Sequence, residues 1–424
     1  MRAILSKGIL ATGDHEEAAS ILRACVHCGF CNATCPTYQV LGDERDGPRG
    51  RIYLIKHLLE GGDVSSTTQT HLDRCLGCRA CETTCPSGVQ YTRLLELVRP
   101  AVDHAVPRTL RARIVRWLLR RIVPYPSRFG ALLAMGRALR ALLPRKLRVL
   151  VPAVSMAKYA VLPVTTPRAR YVLLEGCVQD TAAPQINLAA EQILSGMQIT
   201  TLRLPQSGCC GALALHLGAT EEARQCARRN IDAWAPVLAS GHATGVFCAS
   251  SGCTQVLKDY GHLLRDDPVY ATRAGIVAAA VRDASEVIDA RAVAALCELP
   301  RSQPQTVAFQ APCSLQHGLR GHLRVSEGLR AAGYQLSVIA DAHLCCGSAG
   351  TYSLLQPAIA GELRARKLAA LEVGEPHSIA TANIGCLLYL QQAAHRPVKH
   401  WLELIAEAMS APPGTAAPEG RSGQ

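Results

Sequence analysis

Two runs of four cysteines with the same spacing lie in the first hundred residues, and they restrict the N-terminal part of the chain more than any other feature. Each run has the order C-x-x-C-x-x-C-x-x-x-C and ends before a proline. The runs are Cys25, Cys28, Cys31 and Cys35 before Pro36, and Cys75, Cys78, Cys81 and Cys85 before Pro86. This is the spacing of bacterial ferredoxins, whose thiolates bind [4Fe–4S] clusters. The sequence therefore predicts two [4Fe–4S] clusters.

The ferredoxin pattern also predicts which cysteines share a cluster. Three thiolates of one run surround one cluster, and the fourth cysteine of that run ligates the other cluster. The predicted sets are Cys25, Cys28, Cys31 and Cys85 for cluster 1, and Cys75, Cys78, Cys81 and Cys35 for cluster 2. Zinc is the alternative, but its sites use four ligands, typically as two C-x-x-C pairs, and two proline-terminated runs fit that arrangement poorly.

The stretch between the two runs predicts a helical module. Thirty-nine residues separate Cys35 from Cys75, and residues 51–59 carry apolar side chains at helical spacing. A compact two-stranded ferredoxin has no room for such an insertion. We therefore expect residues 1–100 to form a mostly helical ferredoxin-type module, with its motifs at about 14–47 and 66–95.

The second half of the chain contains an internal repeat built on cysteines. A single cysteine and a later Cys-Cys-Gly triplet recur with an offset of 136 residues, and a closing cysteine recurs with an offset of 133. The matched positions are Cys177, Cys209, Cys210 and Cys253 in the first copy, and Cys313, Cys345, Cys346 and Cys386 in the second. Periods this long indicate duplicated domains, because solenoid repeats are shorter.

Each copy alternates strand-like with helical segments. Strands are expected at 171–174, 199–204 and 245–247, then at 307–309, 335–339 and 379–381, with helices at 186–194, 221–234 and 363–371. This alternation favours parallel sheets covered by helices, with cysteines at the helix N-termini that follow strands. The expected fold class is α+β multidomain: a helical two-cluster ferredoxin module, then duplicated α/β cysteine-rich domains at 168–296 and 297–408.

The repeated Cys-Cys-Gly segments predict a second kind of thiol site. They resemble the cysteine-rich domain of heterodisulfide reductases, in which a closing C-x-x-C pair completes the ligands of a further cluster. Here Ser250 and Asn383 replace the first cysteine of that pair, which leaves four repeated thiols in each copy. An additional iron–sulfur centre, zinc and no metal are all open alternatives. Cys226, Cys248 and Cys297 match no motif and are interpreted as small core residues.

Composition narrows the class of protein. Nineteen cysteines in 424 residues with 49% hydrophobic content do not describe a disulfide scaffold, because such scaffolds are short and lack a core. The N-terminus has no apolar signal segment and the chain has no run of about 18 apolar residues, so we expect a reducing, cytoplasmic compartment. No G-x-G-x-x-G follows a strand, so neither flavin nor NAD is expected on this chain.

Positive charge is concentrated in one segment. Residues 104–174 hold 15 Lys or Arg and no acid, and subtracting them from the net charge of +12 leaves the rest at −3. A nucleic-acid partner is therefore not expected. The segment forms the predicted basic helical connector, 101–167, and the Pro-rich residues 409–424 are a predicted disordered tail.

Within the connector, the sequence predicts an amphipathic, cationic helix. Its apolar positions, interleaved with arginines, are Leu110, Ile114, Trp117 and Leu118. Such a helix suits anionic lipid or an acidic partner, and a packed helix with an arginine-rich outer face is the alternative. On the first interpretation, the protein is peripheral on the inner face of the cytoplasmic membrane.

Taken together, these motifs resemble the iron–sulfur subunit of bacterial glycolate oxidase over nearly the whole chain. The most specific segments are residues 25–56 and 71–91, supported by EGCVQD, SGCCGALALH, ASSGC and AHLCCGSAG in the second half. The resemblance implies a complex with FAD-containing subunits that oxidise glycolate to glyoxylate, and often D-lactate to pyruvate. Substrate oxidation would occur on those subunits, so no catalytic residue is expected here. This chain would pass the electrons to a membrane quinone or another acceptor.

Two related functions are the alternatives. A thiol–disulfide enzyme of the heterodisulfide reductase type would be favoured by two complete five-cysteine sets, and neither copy has one. The iron–sulfur subunit of an anaerobic glycerol-3-phosphate dehydrogenase shares the same order of modules. The segment LGDERDGPRGRIYLIK at residues 41–56 favours glycolate oxidase over it.

Overall fold

The computed structural model describes residues 5–6, 9–144, 148–152, 159–297 and 305–410. The N-terminal part is built from helices and one 3-10 turn, Glu44–Asp46. The helices are α1 (Thr12–Ala24), α2 (Phe30–Ala33), α3 (Pro36–Leu41), α4 (Pro48–Leu59), α5 (Ser66–Asp73), α6 (Ala80–Thr84) and α7 (Tyr91–Ala105). This architecture confirms the expected helical character of the two-cluster module.

Helix α4 shows how the sequence builds this module. Pro48 occupies its first turn, where a proline costs no hydrogen bond and its fixed φ suits the helix. Ile52, Ile55 and Leu59 follow at helical spacing and are buried against Leu94 of α7 and its neighbours. The segment between the two cysteine runs therefore forms the core on which both cysteine loops rest.

The basic connector contains the helices α8 (Leu110–Ile122) and α9 (Pro126–Ala138) among its described residues. The predicted amphipathic helix is therefore confirmed as a helix. No side chain of α8 is buried. Among the described residues, no helix combines the length and the apolar character needed to cross a bilayer.

Two four-stranded, fully parallel sheets follow. The first contains β1 (Ala169–Leu174), β2 (Ile199–Leu202), β3 (Gly245–Cys248) and β4 (Val281–Asp283) in the order β2-β1-β3-β4. The second contains β5 (Thr306–Gln310), β6 (Gln335–Leu336), β7 (Ser378–Thr381) and β8 (Val398–His400) in the order β6-β5-β7-β8. The identical strand order confirms the predicted duplication and the parallel sheets.

Helices cover both sheets. In the first copy they are α10 (Gln179–Ala182), α11 (Gln185–Gly196), α12 (Ala212–His216), α13 (Thr220–Ala239), α14 (Ser251–Lys258), α15 (Tyr260–Leu263), α16 (Ala271–Ala280), α17 (Ala284–Val287) and α18 (Ala290–Leu296). In the second copy they are a π-helical turn (Ser314–Gly318), α19 (His322–Ala331), α20 (Tyr352–Leu355), α21 (Pro357–Leu371), α22 (Ile384–Leu390) and α23 (Trp401–Met409).

The structure differs from the sequence-based strands at four places, one of them β2, which ends at Leu202 although a strand was expected to 204. Strands β4 and β8 were not anticipated, because each has only three residues with a charged residue in the middle. Strand β6 ends at Leu336, whereas a strand was expected to 339. Val338 is 94% exposed at this edge of the sheet, so the apolar pattern there does not reflect burial.

The two copies share one hydrophobic core. Helix α23, at the end of the second copy, packs against α11 of the first copy. Ile193, Phe247, Val307 and Ile405 belong to the same buried cluster, although they come from both halves. Residues 411–424 of the predicted disordered tail, 409–424, lie outside the described residues, whereas its first residue, Met409, ends α23.

Candidate metal centres

Matching left-handed turns shape the two cysteine loops. In each loop the middle cysteine of the first three is flanked by two residues of positive φ: His27 (56°) and Gly29 (85°) in the first, Gly77 (64°) and Arg79 (62°) in the second. Such turns curl the backbone tightly, which lets closely spaced thiols face one point. The short helices α2 and α6 begin directly after these turns and contact each other.

A cavity of about 430 Å³ lies inside the first loop. The cysteines that line it are Cys25, Cys28, Cys31, Cys81 and Cys85. Cys85 comes from the second run and is 54 residues beyond Cys31 in sequence, yet it faces the same space. Cys28 is exposed at the mouth of this cavity, with Val26 and Phe30 also exposed beside it.

A second cavity of about 320 Å³ lies inside the second loop. The cysteines that line it are Cys35, Cys75, Cys78 and Cys81. Cys35 is therefore placed with the second run, as Cys85 is with the first. Cys81 borders both cavities, which shows how close the two spaces are. Each cavity offers the four thiols that a [4Fe–4S] cluster needs.

Burial controls the charge of these thiols. It raises the pKa of Cys31 to about 11, and it raises the pKa of Cys78 and Cys81 well above the usual thiol range. A buried thiol without a cationic partner is therefore protonated at neutral pH. Binding of iron releases those protons, because thiolate is the ligand form. The donor set fits a metal cluster and does not suit free thiolates.

A buried ion-pair network lies next to the second cavity and contacts its Cys35 side. Arg51 donates to the carbonyl of His71 (2.8 Å) and to Oγ1 of Thr37 (3.1 Å), and Thr37 Oγ1 lies 3.3 Å from the Cys35 sulfur. Asp46 accepts from Arg74 (2.9 Å) and lies 2.8 Å from His71 Nδ1. These contacts fix the approach of the Cys35 thiol to the cavity.

The same network contains a group of oxygen and nitrogen atoms with metal-site spacing. Ligand atoms of Asp43, Asp46 and His71 lie within 4.8 Å of one another. Both carboxylate oxygens of Asp46 are already engaged by His71 and Arg74, and Arg51 lies 3.6 Å away. The positive charge of the two arginines replaces a cation here, so we interpret the group as an ion-pair network.

In the first cysteine-rich domain, the structure gathers the four predicted thiols. The Cys177 and Cys209 sulfurs lie 3.5 Å apart, and the N–H of Gly211 points at Cys209 from 3.5 Å. Hydrogen bonds from Cys209 and Cys253 lower the pKa of Cys210 well below its usual value. The set therefore contains one thiol that is stabilised in the charged form by its neighbours.

Two further thiols join this set. Cys226 on α13 interacts with Cys209, and Cys248 at the end of β3 interacts with Cys253. The sequence analysis interprets Cys226 and Cys248 as small core residues; the structure places both against site thiols. No local sequence signal reports these contacts, because Cys226 meets the site through the packing of α13 beneath Gly211 and Cys248 through the packing of β3 against α14.

The second cysteine-rich domain gathers its four thiols in the same way. The sulfurs of Cys313 and Cys345 lie 3.9 Å apart, and those of Cys346 and Cys386 lie 3.3 Å apart. The hydrogen bond with Cys345, together with burial, raises the pKa of Cys313 well above its usual value. Within this domain, the described residues 305–410 contain no fifth cysteine.

The two residues that replace a cysteine have local structural roles. Asn383 caps α22, its side-chain oxygen accepting from the N–H of Gly385 (2.8 Å). The carbonyl of Ser250 accepts from Cys248 and from Thr254 Oγ1 at the start of α14. Both positions therefore serve the helix start that carries the closing cysteine.

The second cysteine-rich domain lies directly against the second cavity. Burial and then the neighbouring Cys313 thiol raise the pKa of Cys78, and Cys345 is close enough to Cys78 to interact with it. Tyr352 donates to the carbonyl of Arg74 (3.0 Å), and Leu76, Cys345 and Tyr352 share one apolar cluster. Two predicted sites from distant parts of the chain thus become neighbours.

The connector helix α8 turns its apolar side outward. Leu110 is 71% and Trp117 is 50% exposed, and Ile114 and Leu118 are exposed as well. On the protein-facing side, Arg116 donates to Asp73 (3.1 Å) and Arg120 donates to Glu222 (3.0 Å). These two arginines attach the helix to the protein while its apolar side chains face outward, which differs from the alternative of a packed helix with an arginine-rich outer face.

Comparison with known proteins defines the class first. Residues 21–89 match the family of 4Fe-4S dicluster domains, and residues 171–258 and 307–391 each match the cysteine-rich domain family. The chain is therefore an iron–sulfur protein with a 4Fe-4S dicluster domain and two cysteine-rich domains. Its fold is also similar to a crystal structure of a hypothetical protein from Helicobacter pylori, with a TM-score of 0.52 and 9% identity, covering 95% of this chain and 74% of that one.

Individual relatives then define the family. The chain is 46% identical over 403 residues to the glycolate oxidase iron-sulfur subunit of Escherichia coli K12, covering 93% of this chain and 95% of that protein. It is 31% identical over 418 residues to the probable glycolate oxidase iron-sulfur subunit of Bacillus subtilis 168, covering 91% and 93%. The chain belongs to the family of glycolate oxidase iron–sulfur subunits. Lactate utilization protein A of an Exiguobacterium strain is 24% identical over 248 residues, covering 55% of this chain and 95% of that protein.

Proposed function

We propose that this chain is the electron-transfer subunit of a glycolate oxidase complex. It would receive electrons from FAD-containing subunits that oxidise glycolate to glyoxylate, and would deliver them to a membrane quinone. The observation that supports this most directly is the pair of four-thiol cavities in a chain whose full-length relative at 46% identity is named a glycolate oxidase iron-sulfur subunit. No catalytic residue for substrate oxidation is proposed on this chain.

We assign the ligands of the two clusters from the cysteines that line each cavity, and Cys81, which lines both, from the spacing of its run. The assignment is Cys25, Cys28, Cys31 and Cys85 for cluster 1, and Cys75, Cys78, Cys81 and Cys35 for cluster 2. When bound, [4Fe–4S] clusters supply one-electron transfer. The chain holds the thiols in place through the left-handed turns and the Arg51 network, and its helices exclude water from Cys35 and Cys81.

The cysteine-rich domains are proposed as two further thiol sites. Four repeated thiols in each domain suffice for an iron–sulfur centre or zinc, namely Cys177, Cys209, Cys210 and Cys253, and Cys313, Cys345, Cys346 and Cys386. Their sulfur atoms lie close enough to bind one metal centre together, since the distances are 3.5 Å for Cys177 and Cys209, 3.9 Å for Cys313 and Cys345, and 3.3 Å for Cys346 and Cys386.

D-Lactate is a second substrate that the comparisons favour for the complex. Lactate utilization protein A resembles 55% of this chain, although at only 24% identity. Because this chain only accepts electrons, substrate preference would be decided by the flavin subunits. Rates with glycolate and D-lactate measured on one assembled complex distinguish the two.

Reconstitution with the flavin subunits tests the proposed function. The complex assembled without this chain should reduce a flavin-reactive soluble dye with glycolate but should not reduce quinone, and adding this chain should restore quinone reduction. Cys78→Ser should abolish that restoration, whereas Cys297→Ser, outside every thiol set described above, should not. Full quinone reduction without this chain, or failure of the chain to bind a glycolate-oxidising flavoprotein, would overturn the proposal.

We also propose that the complex is peripheral on the inner face of the cytoplasmic membrane. The surface for this is the outer side of α8, which combines the exposed Leu110, Ile114, Trp117 and Leu118 with Arg111 and Arg113. Within the part of the chain that the structure describes, Arg111 and Arg113 form no ion pair. Apolar side chains beside free cations are typical of helices that lie on anionic lipid.

A further inference from the structure

A buried lysine distinguishes the two cysteine-rich domains. Lys367 on α21 is only 4% exposed, and its ammonium group donates to two backbone carbonyls, those of Asp341 and Ala342, each at 3.1 Å. No carboxylate of the described residues lies within ion-pair distance of it. A buried ammonium without an anion is unfavourable, so its surroundings must compensate the charge.

The chain around Lys367 places it beside the thiols of the second domain. The carbonyls that it reaches precede Cys345 by four and three residues, and Lys367 lies two helix turns after Ala360, which packs against Gly347 of the Cys-Cys-Gly turn. Burial lowers the pKa of Lys367, and the groups that act in the opposite direction are Cys346, Cys345 and Cys386, ahead of the exposed Asp341. These are three of the four thiols of the second domain. An anionic centre held by these thiols would give the ammonium the partner that no carboxylate of the described residues supplies.

The first domain has a neutral residue at the matching position. Gly211 and Gly347 follow the two Cys-Cys pairs, and each faces the backbone of an alanine, Ala223 and Ala360 respectively. The two alanines are 137 residues apart in sequence, and the same step leads from Asn230 to Lys367. Asn230 is fully buried too, but it donates to the carbonyl of Cys209 (3.1 Å) and accepts from the N–H of Gly208 (2.9 Å).

The two thiol sets also differ in what lies beside them. The second set touches the second ferredoxin-type cavity through Cys78, Cys313 and Cys345. The first set carries two extra thiols, Cys226 and Cys248, which correspond to Leu363 and Thr381 in the second domain. The two copies therefore differ in the buried charge beside their thiols and in the number of thiols at the site.

We propose that Lys367 is the counter-charge of an anionic iron–sulfur centre held by Cys313, Cys345, Cys346 and Cys386, and that it sets the reduction potential of that centre. It acts as a positioning residue, since it also fixes the loop before Cys345 through two carbonyls. The first domain, with Asn230, has no buried cation at this position; the cation beside its thiols, Arg229, is exposed and donates to the carbonyl of Cys209 (3.1 Å), so the first domain holds a different kind of site. This inference rests on the proposed binding of iron–sulfur centres by this chain, and not on the identity of the substrate.

The sign of the effect follows from electrostatics. Reduction adds one negative charge to the centre, and a nearby buried cation stabilises that charge more than it would in water. Removing the cation therefore makes reduction less favourable, so the midpoint potential of the centre should become more negative. A cation of the same charge, supplied by arginine, should preserve it.

Redox titration of the full chain, purified anaerobically, tests this. The variants are Lys367→Met and Lys367→Arg, with Lys399→Met as a control in which a surface lysine of the same domain is removed. Lys367→Met should shift the midpoint of the C-terminal centre to a more negative potential, or should lose its iron while Lys367→Arg retains it. The two N-terminal clusters and the Lys399→Met chain should keep the wild-type potentials.

Three outcomes would overturn the inference. One is a wild-type chain with the iron of two clusters only and no third signal. Another is a Lys367→Met chain that keeps a C-terminal centre of unchanged potential. The last is equal loss of iron from Lys367→Met and Lys367→Arg, which would make Lys367 a packing residue. Because glycolate oxidation is not measured, each of these leaves the proposed function to its own test.

Discussion

Arg51 places a positive charge in the interior beside the second cavity. Its side chain is 1% exposed, it lines the cavity, and it reaches the Cys35 thiol through Thr37. Asp46 lies 3.6 Å away and is shared with Arg74 and His71, so the two arginines outnumber the one carboxylate. The network therefore leaves net positive charge next to the thiols that line this cavity.

Replacing Arg51 should destabilise the second cluster site. Removing one member of a buried ion pair costs about 3–5 kcal/mol, because the remaining charge loses its partner. Arg51→Met should lower the temperature at which the visible absorbance of the clusters is lost on heating. Arg45→Met is the matched control: Arg45 pairs with Asp43 at the surface and should have little effect. Equal shifts in both variants would contradict the proposed role.

The crossed arrangement of the fourth cysteines makes a second prediction at this scale. Cys85→Ser should damage the cluster held by Cys25, Cys28 and Cys31, and Cys35→Ser should damage the other one, since each thiol lines the cavity of the opposite run. Electron paramagnetic resonance on chains with only one intact cluster separates the two signals. If Cys85→Ser removes only the signal that depends on Cys78, the crossed assignment is wrong.

At the scale of elements, the Cys-Cys-Gly turns are closed by helices packed onto them. Gly347 has φ of +87°, and a Cβ there would lie 2.6 Å from the carbonyl oxygen of Ala360 on α21. Gly211 repeats this geometry beneath Ala223 of α13, where the corresponding distance would be 3.1 Å. The glycine is required because the helix backbone approaches the turn, and this approach holds the two adjacent thiols toward the site.

A pair of glycine substitutions separates close approach from backbone strain. Gly347→Ala should destabilise the second cysteine-rich domain, by about 1–3 kcal/mol for the overlap in addition to about 1 kcal/mol for the left-handed backbone. Gly350→Ala carries only the second cost, because a Cβ there meets nothing within 4 Å although φ is +62°. Hydrogen exchange of α21 in the full chain measures the difference. Equal protection in both variants would contradict it.

Sequence could predict the elements with strong local signals, and it missed those defined by tertiary contact. The spacing of the cysteines predicts the N-terminal sites and the repeat, and the periodicity of apolar residues predicts α8. Strands β4 and β8 have three residues each and exist because a neighbouring strand pairs with them. The thiols of Cys226 and Cys248, and the approach of Cys78 to Cys313, depend on packing between distant segments, so no local pattern reports them.

At the scale of the whole molecule, the modules are interlocked. Helix α23 of the second copy packs against α11 of the first copy. Tyr352 of the second copy donates a hydrogen bond to the carbonyl of Arg74 beside the second cavity. Arg93 of α7 likewise pairs with Asp259 of the first copy at 2.7 Å. The second cavity therefore lies toward the interior of the folded chain, while Cys28 of the first cavity is exposed at the surface. One predicted cluster site is thus close to the surface and the other is close to the second cysteine-rich domain.

The outward side of α8 should decide where the whole molecule resides. Arg111→Gln with Arg113→Gln should weaken binding to vesicles containing anionic lipid roughly 30-fold at low salt, since each cation near such a surface contributes roughly 1 kcal/mol. Wild-type binding should itself be lost near 1 M salt, where the Debye length falls to about 3 Å. Trp117→Ala should weaken binding further by removing apolar insertion.

Arg116→Gln is the matched control for this surface. Its charge is already neutralised by Asp73, so vesicle binding should change much less than for the outward pair, whereas docking of α8 on the protein should weaken. Vesicle co-sedimentation, with glycolate oxidation by a soluble dye as the check on integrity, measures both. Unchanged vesicle binding in the Arg111→Gln, Arg113→Gln chain, together with loss of the flavin subunits on purification, would identify this face as a subunit-docking surface, because the same apolar and cationic side chains would then be covered by protein.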